Sequence, residues 1–247
     1  MMNFLTNNLR RFKIITFDCT NTIFYFKSPP EQQYLKTAAS CGISKENFDA
    51  DLMKLNFRKQ FKVLNQQHPN FGRDSISYEQ WWVKLVTNVF KLSSRGRFDE
   101  KLLEPVAMKL IEQYKTRECW GKFDKSDELI SALKSAGKTV GIISNFDPRL
   151  HDLLADMDLP EIDFVVTSYE AGIEKPSSDI FHEAIKLSKT NCKPHEALHI
   201  GNEVEKDYNG ARRAGWSTVL INSDADVEQR FSNIEEFWNT ITTKEIK

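Results

Sequence analysis

Apolar residues fall along this chain in two rhythms. Near the start, Lys13-Ile14-Ile15-Thr16-Phe17 is a short β-rich run that stops abruptly at Asp18-Cys19-Thr20-Asn21-Thr22, which predicts a buried strand ending in a carboxylate. From there to about residue 116 the apolar positions recur three and four apart. That spacing predicts helices over 31–39, 47–64, 78–92 and 102–114. From Trp120 onward the two rhythms alternate. Helices are predicted over 125–136, 148–157, 180–187 and 208–214, and strands over 139–143, 164–166, 197–200 and 218–221. A last helix opens at Ser232-Asn233-Ile234-Glu235, which has the capping-box spacing.

Strands alternating with helices predict an α/β core whose parallel sheet is covered on both faces. The helical block, residues 23–116, interrupts that core, which comprises 1–22 plus 117–247. An inserted block with two linkers makes a good lid, because both linkers can act as hinges. Its Trp81-Trp82 pair and Phe stripes read first as the block's own core, since apolar residues at helical spacing usually face one.

Composition narrows the class. The 247 residues are 40% hydrophobic with 17 Phe, as in an ordered globular protein, and the net charge is -1. That balance gives no footprint for nucleic acid or an anionic membrane, and no apolar run approaches a membrane span. The first eleven residues carry Arg10 and Arg11, no acids, and no apolar core of a secretory signal, so a short tail is expected. Cys19, Cys41, Cys119 and Cys192 are scattered, which fits reduced thiols in a cytoplasmic or nuclear protein. Cys19 beside Asp18 reads as a small buried filler. The sequence is silent on protein partners.

In parallel α/β sheets chemistry sits beyond the carboxyl ends of the strands, and four stretches here fall at such ends. They are Phe17-Asp18-Cys19-Thr20, Ile143-Ser144-Asn145-Phe146-Asp147, Gly172-Ile173-Glu174-Lys175-Pro176, and Gly201-Asn202-Glu203-Val204-Glu205-Lys206-Asp207. Together they supply a carboxylate, a hydroxyl, an ammonium and an acid cluster. That set suits phosphoryl transfer, in which positioning and charge neutralisation do most of the catalysis. Asp18 could attack phosphorus and carry an aspartyl phosphate. Lys175 and Mg2+ would offset repulsion between that carboxylate and a phosphate. Ser144 and Asn145 could bind the phosphoryl oxygens through the hydroxyl and the amide that follows it. The plain alternatives are a turn-capping Asp18, an N-capping Asp147, a buried and hydrogen-bonded His199, and Asn202 as a turn residue.

The four stretches in this order, with the helical block between the first and second, resemble the haloacid dehalogenase-like hydrolase superfamily over nearly the whole chain. The resemblance implies a Rossmann-like core with a helical cap and an Asp-nucleophile hydrolase acting on a small phosphorylated substrate. It makes Asp18 the nucleophile, Lys175 the stabilising lysine and Ser144 the phosphate-binding hydroxyl. For the metal it implies Asp18, the backbone carbonyl of Thr20, Asn202 and, directly or through water, Asp207.

Two positions depart from the pattern of the superfamily's phosphatases. Thr20 stands where those enzymes carry a second Asp that protonates the leaving group, and threonine cannot act as an acid or base near neutral pH. Asn202 stands where they carry a metal-binding Asp, which lowers the charge offered to Mg2+. Slow turnover is therefore expected. A catalytically impaired binding protein and a metal-independent 2-haloacid dehalogenase, whose members also lack the second Asp, remain as alternatives.

Overall fold

The structure is a computed structural model and describes residues 9–94, 98–222 and 224–242. The expected tail, residues 1–8, lies outside the described residues. The chain divides into two compact units, one holding residues up to Tyr25 and from Gly121 onward, the other Phe26–Trp120.

The first unit is built on a six-stranded sheet. Its strands are β1 (Ile14–Phe17), β4 (Thr139–Ser144), β5 (Phe164–Thr167), β6 (Ala197–Gly201), β7 (Ser217–Ile221) and β8 (Arg230–Phe231), in the order β5-β4-β1-β6-β7-β8 with every pairing parallel. β1 and β6 are buried at every position, and β4 and β7 at all but their first. Burial on both faces explains why these strands read as continuous apolar runs and not as alternating ones. The helices of this unit are α5 (Ser126–Ser135), α6 (Arg149–Asp156), α7 (Ser168–Ala171), α8 (Ser178–Leu187), α9 (Gly210–Arg213) and α10 (Ile234–Thr242). Ile14, Ile143, Phe164, Ile180, Phe181, Ala211 and Trp216 meet in one buried cluster.

Register fixes what lies beside what. Phe17 pairs with Ile142 on one side and Ile200 on the other. Asp18 is therefore level with Ile143 and Gly201, and the residues just past the ends of β1, β4 and β6, Asp18, Asn145 and Asn202, all lie at the carboxyl end of the sheet.

The second unit is helical: α1 (Pro30–Ser40), α2 (Ala50–Gln67), α3 (Tyr78–Ser93) and α4 (Glu100–Gln113). Asp49 caps α2 and Asp99 caps α4, each accepting from an amide of the first turn, while Ser77 and Gln80 close a capping box on α3. Trp81 is fully buried, with Trp82 packed against the same cluster, so the Trp pair serves this unit's own core. Two three-residue strands, β2 (Phe24–Phe26) and β3 (Trp120–Lys122), pair with each other, and the division between the units falls within them.

One element departs from expectation. In place of a regular helix over 208–214 there is a π-helical turn, Val204–Asn209, followed by the short α9. The amides of Asp207 and Tyr208 both donate to the Glu203 carbonyl, and the widened turn keeps Asp207 buried beneath the sheet edge. Among the described residues no helix is long and apolar enough to cross a membrane.

Candidate active site

Three of the four stretches meet at one oxygen, and the fourth joins them through Lys175. Asp18, immediately past β1, is 7% exposed, and its Oδ1 accepts from Ser144 Oγ at 3.1 Å and from Lys175 Nζ at 2.7 Å. Lys175 Nζ also donates to Asp207 Oδ1 at 2.5 Å and to the Ile143 carbonyl at 2.9 Å. All three ammonium protons are thus spent inside the protein, on a side chain that is 2% exposed.

Asp207 is more fully occupied still. Its Oδ1 takes Lys175 and faces His199 Nε2 at 3.2 Å, and its Oδ2 accepts from the amides of Asn202 and Glu203 at 3.0 and 2.8 Å. A carboxylate only accepts, so Nε2 carries the imidazole proton. Nδ1 then takes the hydroxyl proton of Thr16, 2.9 Å away. Gly201 is needed here, because a Cβ at that position would collide with the Asp207 carboxyl.

Electrostatics follow from burial and this ion triad. Burial pushes the Asp18 carboxyl up from 3.8 to about 6; Lys175 pulls it down and the charge of Asp207 pushes it further up. Burial also opposes the charge on Asp207, but the Lys175 ammonium and the His199 hydrogen bond outweigh it and hold that carboxyl well below its usual range. Lys175 loses by burial and gains more from Asp18 and Asp207, so its ammonium is held above its ordinary value. Burial lowers the pKa of His199. Burial, then the Asp18 charge, push the Cys19 thiol well above 9, which makes it a neutral filler beside the carboxylate.

Asn145 does something the sequence did not suggest. Its side-chain amide donates to the Lys175 carbonyl at 2.8 Å and accepts from the Lys175 amide at 2.8 Å. The peptide bond that follows, Lys175–Pro176, is cis. Asp147 and Arg149 face each other: Arg149 Nε and Nη2 grip the two Asp147 oxygens at 2.8 and 2.7 Å, and the Arg149 amide donates to the same carboxylate. Asp147 thus lies one residue before the N-cap Pro148, accepts the first amide of α6 and neutralises a buried arginine. Of the fourth-stretch acids, Glu203 pairs with Lys206 and Glu205 with Arg213 in the open, and Asp207 alone is buried.

No metal is part of the structure, and the donor chemistry decides whether Mg2+ suits the site. Among the described residues no three His, Cys, Asp or Glu side chains cluster as a metal-holding group. Asp207 has no lone pair left unclaimed. What remains is hard oxygen: the Asp18 carboxylate, the Thr20 carbonyl and the Asn202 amide, the latter two residues half-buried. Such a set fits Mg2+, which takes one or two carboxylates and completes its shell with water and substrate phosphate.

A family model for the haloacid dehalogenase-like hydrolase matches residues 12–215. The chain belongs to that family. Within the haloacid dehalogenase-like hydrolases it is 39% identical to the rhythmically expressed gene 2 protein of Drosophila melanogaster, over 87% of this chain and 84% of that protein. It is 31% identical to the haloacid dehalogenase-like hydrolase domain-containing protein 3 of Xenopus laevis, covering 91% and 90% of the two. In fold, the chain is similar to the Bacillus subtilis putative hydrolase YfnB, a magnesium-bound member (TM-score 0.67, 19% identity, 94% of this chain and 99% of that one). It is also similar to the 2-haloacid dehalogenase of Pseudomonas syringae (TM-score 0.62, 18% identity, 94% and 99%).

Proposed function

We propose that this chain is a slow, Mg2+-dependent phosphatase that works through an aspartyl phosphate on a small phosphorylated metabolite. The observation that carries this reading is the convergence of Ser144 and Lys175 on Oδ1 of the buried Asp18. In the proposal an Asp18 oxygen forms a bond to phosphorus while the ester P–O bond breaks, and the leaving alkoxide takes a proton from water. Water then attacks the acyl phosphate, releasing inorganic phosphate and regenerating Asp18. Ser144 donates to a phosphoryl oxygen, and Lys175 neutralises charge that develops on the transferring group. The position of Thr20 supplies no acid or base, so both proton transfers run through water and turnover is slow. Bound Mg2+ would supply Lewis-acid charge stabilisation, held by Asp18, the Thr20 carbonyl and Asn202. Asp207 then supports the site through Lys175, His199 and the 202–203 amides. The helical unit is proposed as the cap that selects the substrate, the role the family resemblance gives it.

The test is hydrolysis of para-nitrophenyl phosphate with Mg2+ and with EDTA, using Asp18→Asn as the control. Activity that needs both Mg2+ and Asp18 supports the reading. Activity equal to that of the variant contradicts it. Halide release from a 2-haloacid in EDTA would instead favour the dehalogenase, a reading that the low charge of the Asn202 position also suits.

A further inference from the structure

We infer that Asn145 is a positioning residue, fixing Lys175 by its main chain so that the ammonium reaches Asp18. The inference deepens the phosphatase reading and rests on Asp18 and Lys175 being its reacting pair. Lys175 lies in the connection between α7 and α8, outside any strand or helix. No ladder holds its backbone, and its four-carbon stem is intrinsically mobile. Yet its ammonium must meet three acceptors at 2.5 to 2.9 Å simultaneously. Something has to place its Cα.

The Asn145 amide does so from the neighbouring strand end. Its reciprocal pair of bonds, both 2.8 Å, claims the N–H and the C=O of Lys175 together. The pair imitates one rung of a β-ladder that the loop itself cannot form. Pro176 has no N–H to offer in its place. The orientation of the amide is set by chemistry, because the main-chain N–H of Lys175 can only donate and its carbonyl can only accept.

The choice of side chain follows from this. Asp would turn an acceptor toward the Lys175 carbonyl, and Ser or Ala cannot span both groups. Since Asn145 directly follows Ser144, one strand end sets both groups that converge on Asp18 Oδ1. A substrate contact through the main-chain N–H of Asn145 leaves this arrangement intact, because both bonds to Lys175 are made by the side-chain amide.

The test uses the full chain and Asn145→Ala, with Asn145→Asp as a milder variant that keeps the bond from the Lys175 amide. Lysine acylation read by mass spectrometry gives the rate at which Lys175 becomes reactive, and thiol labelling of buried Cys119 reports general loosening. Asn145→Ala is expected to raise Lys175 labelling roughly tenfold or more, the scale of losing two hydrogen bonds, with Cys119 unchanged. Asn145→Asp should fall between it and the parent. On para-nitrophenyl phosphate, kcat should fall by about 10²-fold, as misplacement of a reacting group does, with KM nearly unmoved. Unchanged Lys175 labelling in Asn145→Ala overturns the inference, as does a raised KM with kcat retained. If the parent does not turn over phosphate esters, the phosphatase reading fails, while the labelling still decides whether Asn145 positions Lys175.

Discussion

His199 Nε2 lies 3.2 Å from Asp207 Oδ1, the same oxygen that Lys175 grips at 2.5 Å. One buried carboxylate thus joins a neutral imidazole to a charged ammonium, and the ammonium carries the arrangement to Asp18. Nothing in this chain of contacts is open to solvent to any extent that would screen it. Its members are therefore expected to behave as a unit when any one is removed.

Removing the cation is the severest case. Lys175→Met leaves Asp18 and Asp207 buried side by side with no counter-charge. Breaking a buried pair in this way costs about 3–5 kcal/mol, to be measured by urea unfolding near neutral pH. A loss within experimental error of zero would contradict the ion triad.

Asp18 makes the opposite prediction. Its carboxyl is pushed up to about 6 by burial in the folded chain, against 3.8 ordinarily. The folded state holds this proton more tightly than the unfolded one. The stability it contributes is therefore full below about pH 4 and lost as the pH rises through 6. Asp18→Asn carries no charge at any pH. In EDTA it is expected to be more stable than the parent by roughly 1–3 kcal/mol near pH 7.5, with the gap closing toward pH 4. A parent that is the more stable of the two at pH 7.5 contradicts this.

The buried Asp147–Arg149 pair is structural. Arg149→Met takes the guanidinium from the buried Asp147 carboxylate and should cost about 3–5 kcal/mol, whereas Asp147→Asn combined with Arg149→Met should cost much less. Equal losses in the single and double variants would show that the pair is not what holds this turn.

Much of this was legible in the chain, for a physical reason. Strands buried on both faces are apolar at nearly every position, so β1, β4, β6 and β7 stand out, and the helices of the second unit carry a clear 3.6 period. The α/β core with its parallel sheet followed from those runs. β2, β3 and β8 are two or three residues long and hold no period to read. The π-helical turn at 204–209 escaped because the tertiary demands of Asp207 set it, not local propensity. Within the site, residue types and strand-end positions marked Asp18, Ser144, Lys175 and an acid cluster, from which the family resemblance alone singled out Asp207. Partner choice was not marked: an Asn after a strand can face a ligand or a backbone, and only the fold brings Lys175 within its reach. His199 was readable as buried and hydrogen-bonded, but its partners Asp207 and Thr16 come from the sheet register.

Threonine at position 20 is the residue held responsible for slow chemistry. Thr20→Asp restores a carboxyl two residues after Asp18 and is expected to raise kcat on para-nitrophenyl phosphate by about 10²-fold or more, the ordinary scale of a positioned acid–base group. Unchanged kcat would move the limitation elsewhere, to the metal site or to the substrate.

If Asp18 carries the phosphoryl group, an acid-quenched single turnover captures it there. Protein mixed with para-nitrophenyl phosphate and Mg2+ is quenched, digested and examined by mass spectrometry for the peptide spanning residues 14–22. One alkali-labile phosphoryl group is expected on Asp18, absent from Asp18→Asn and, because Thr20 supplies no base, persistent enough to be captured. Turnover of the ester with that peptide unmodified at every quench time would contradict it.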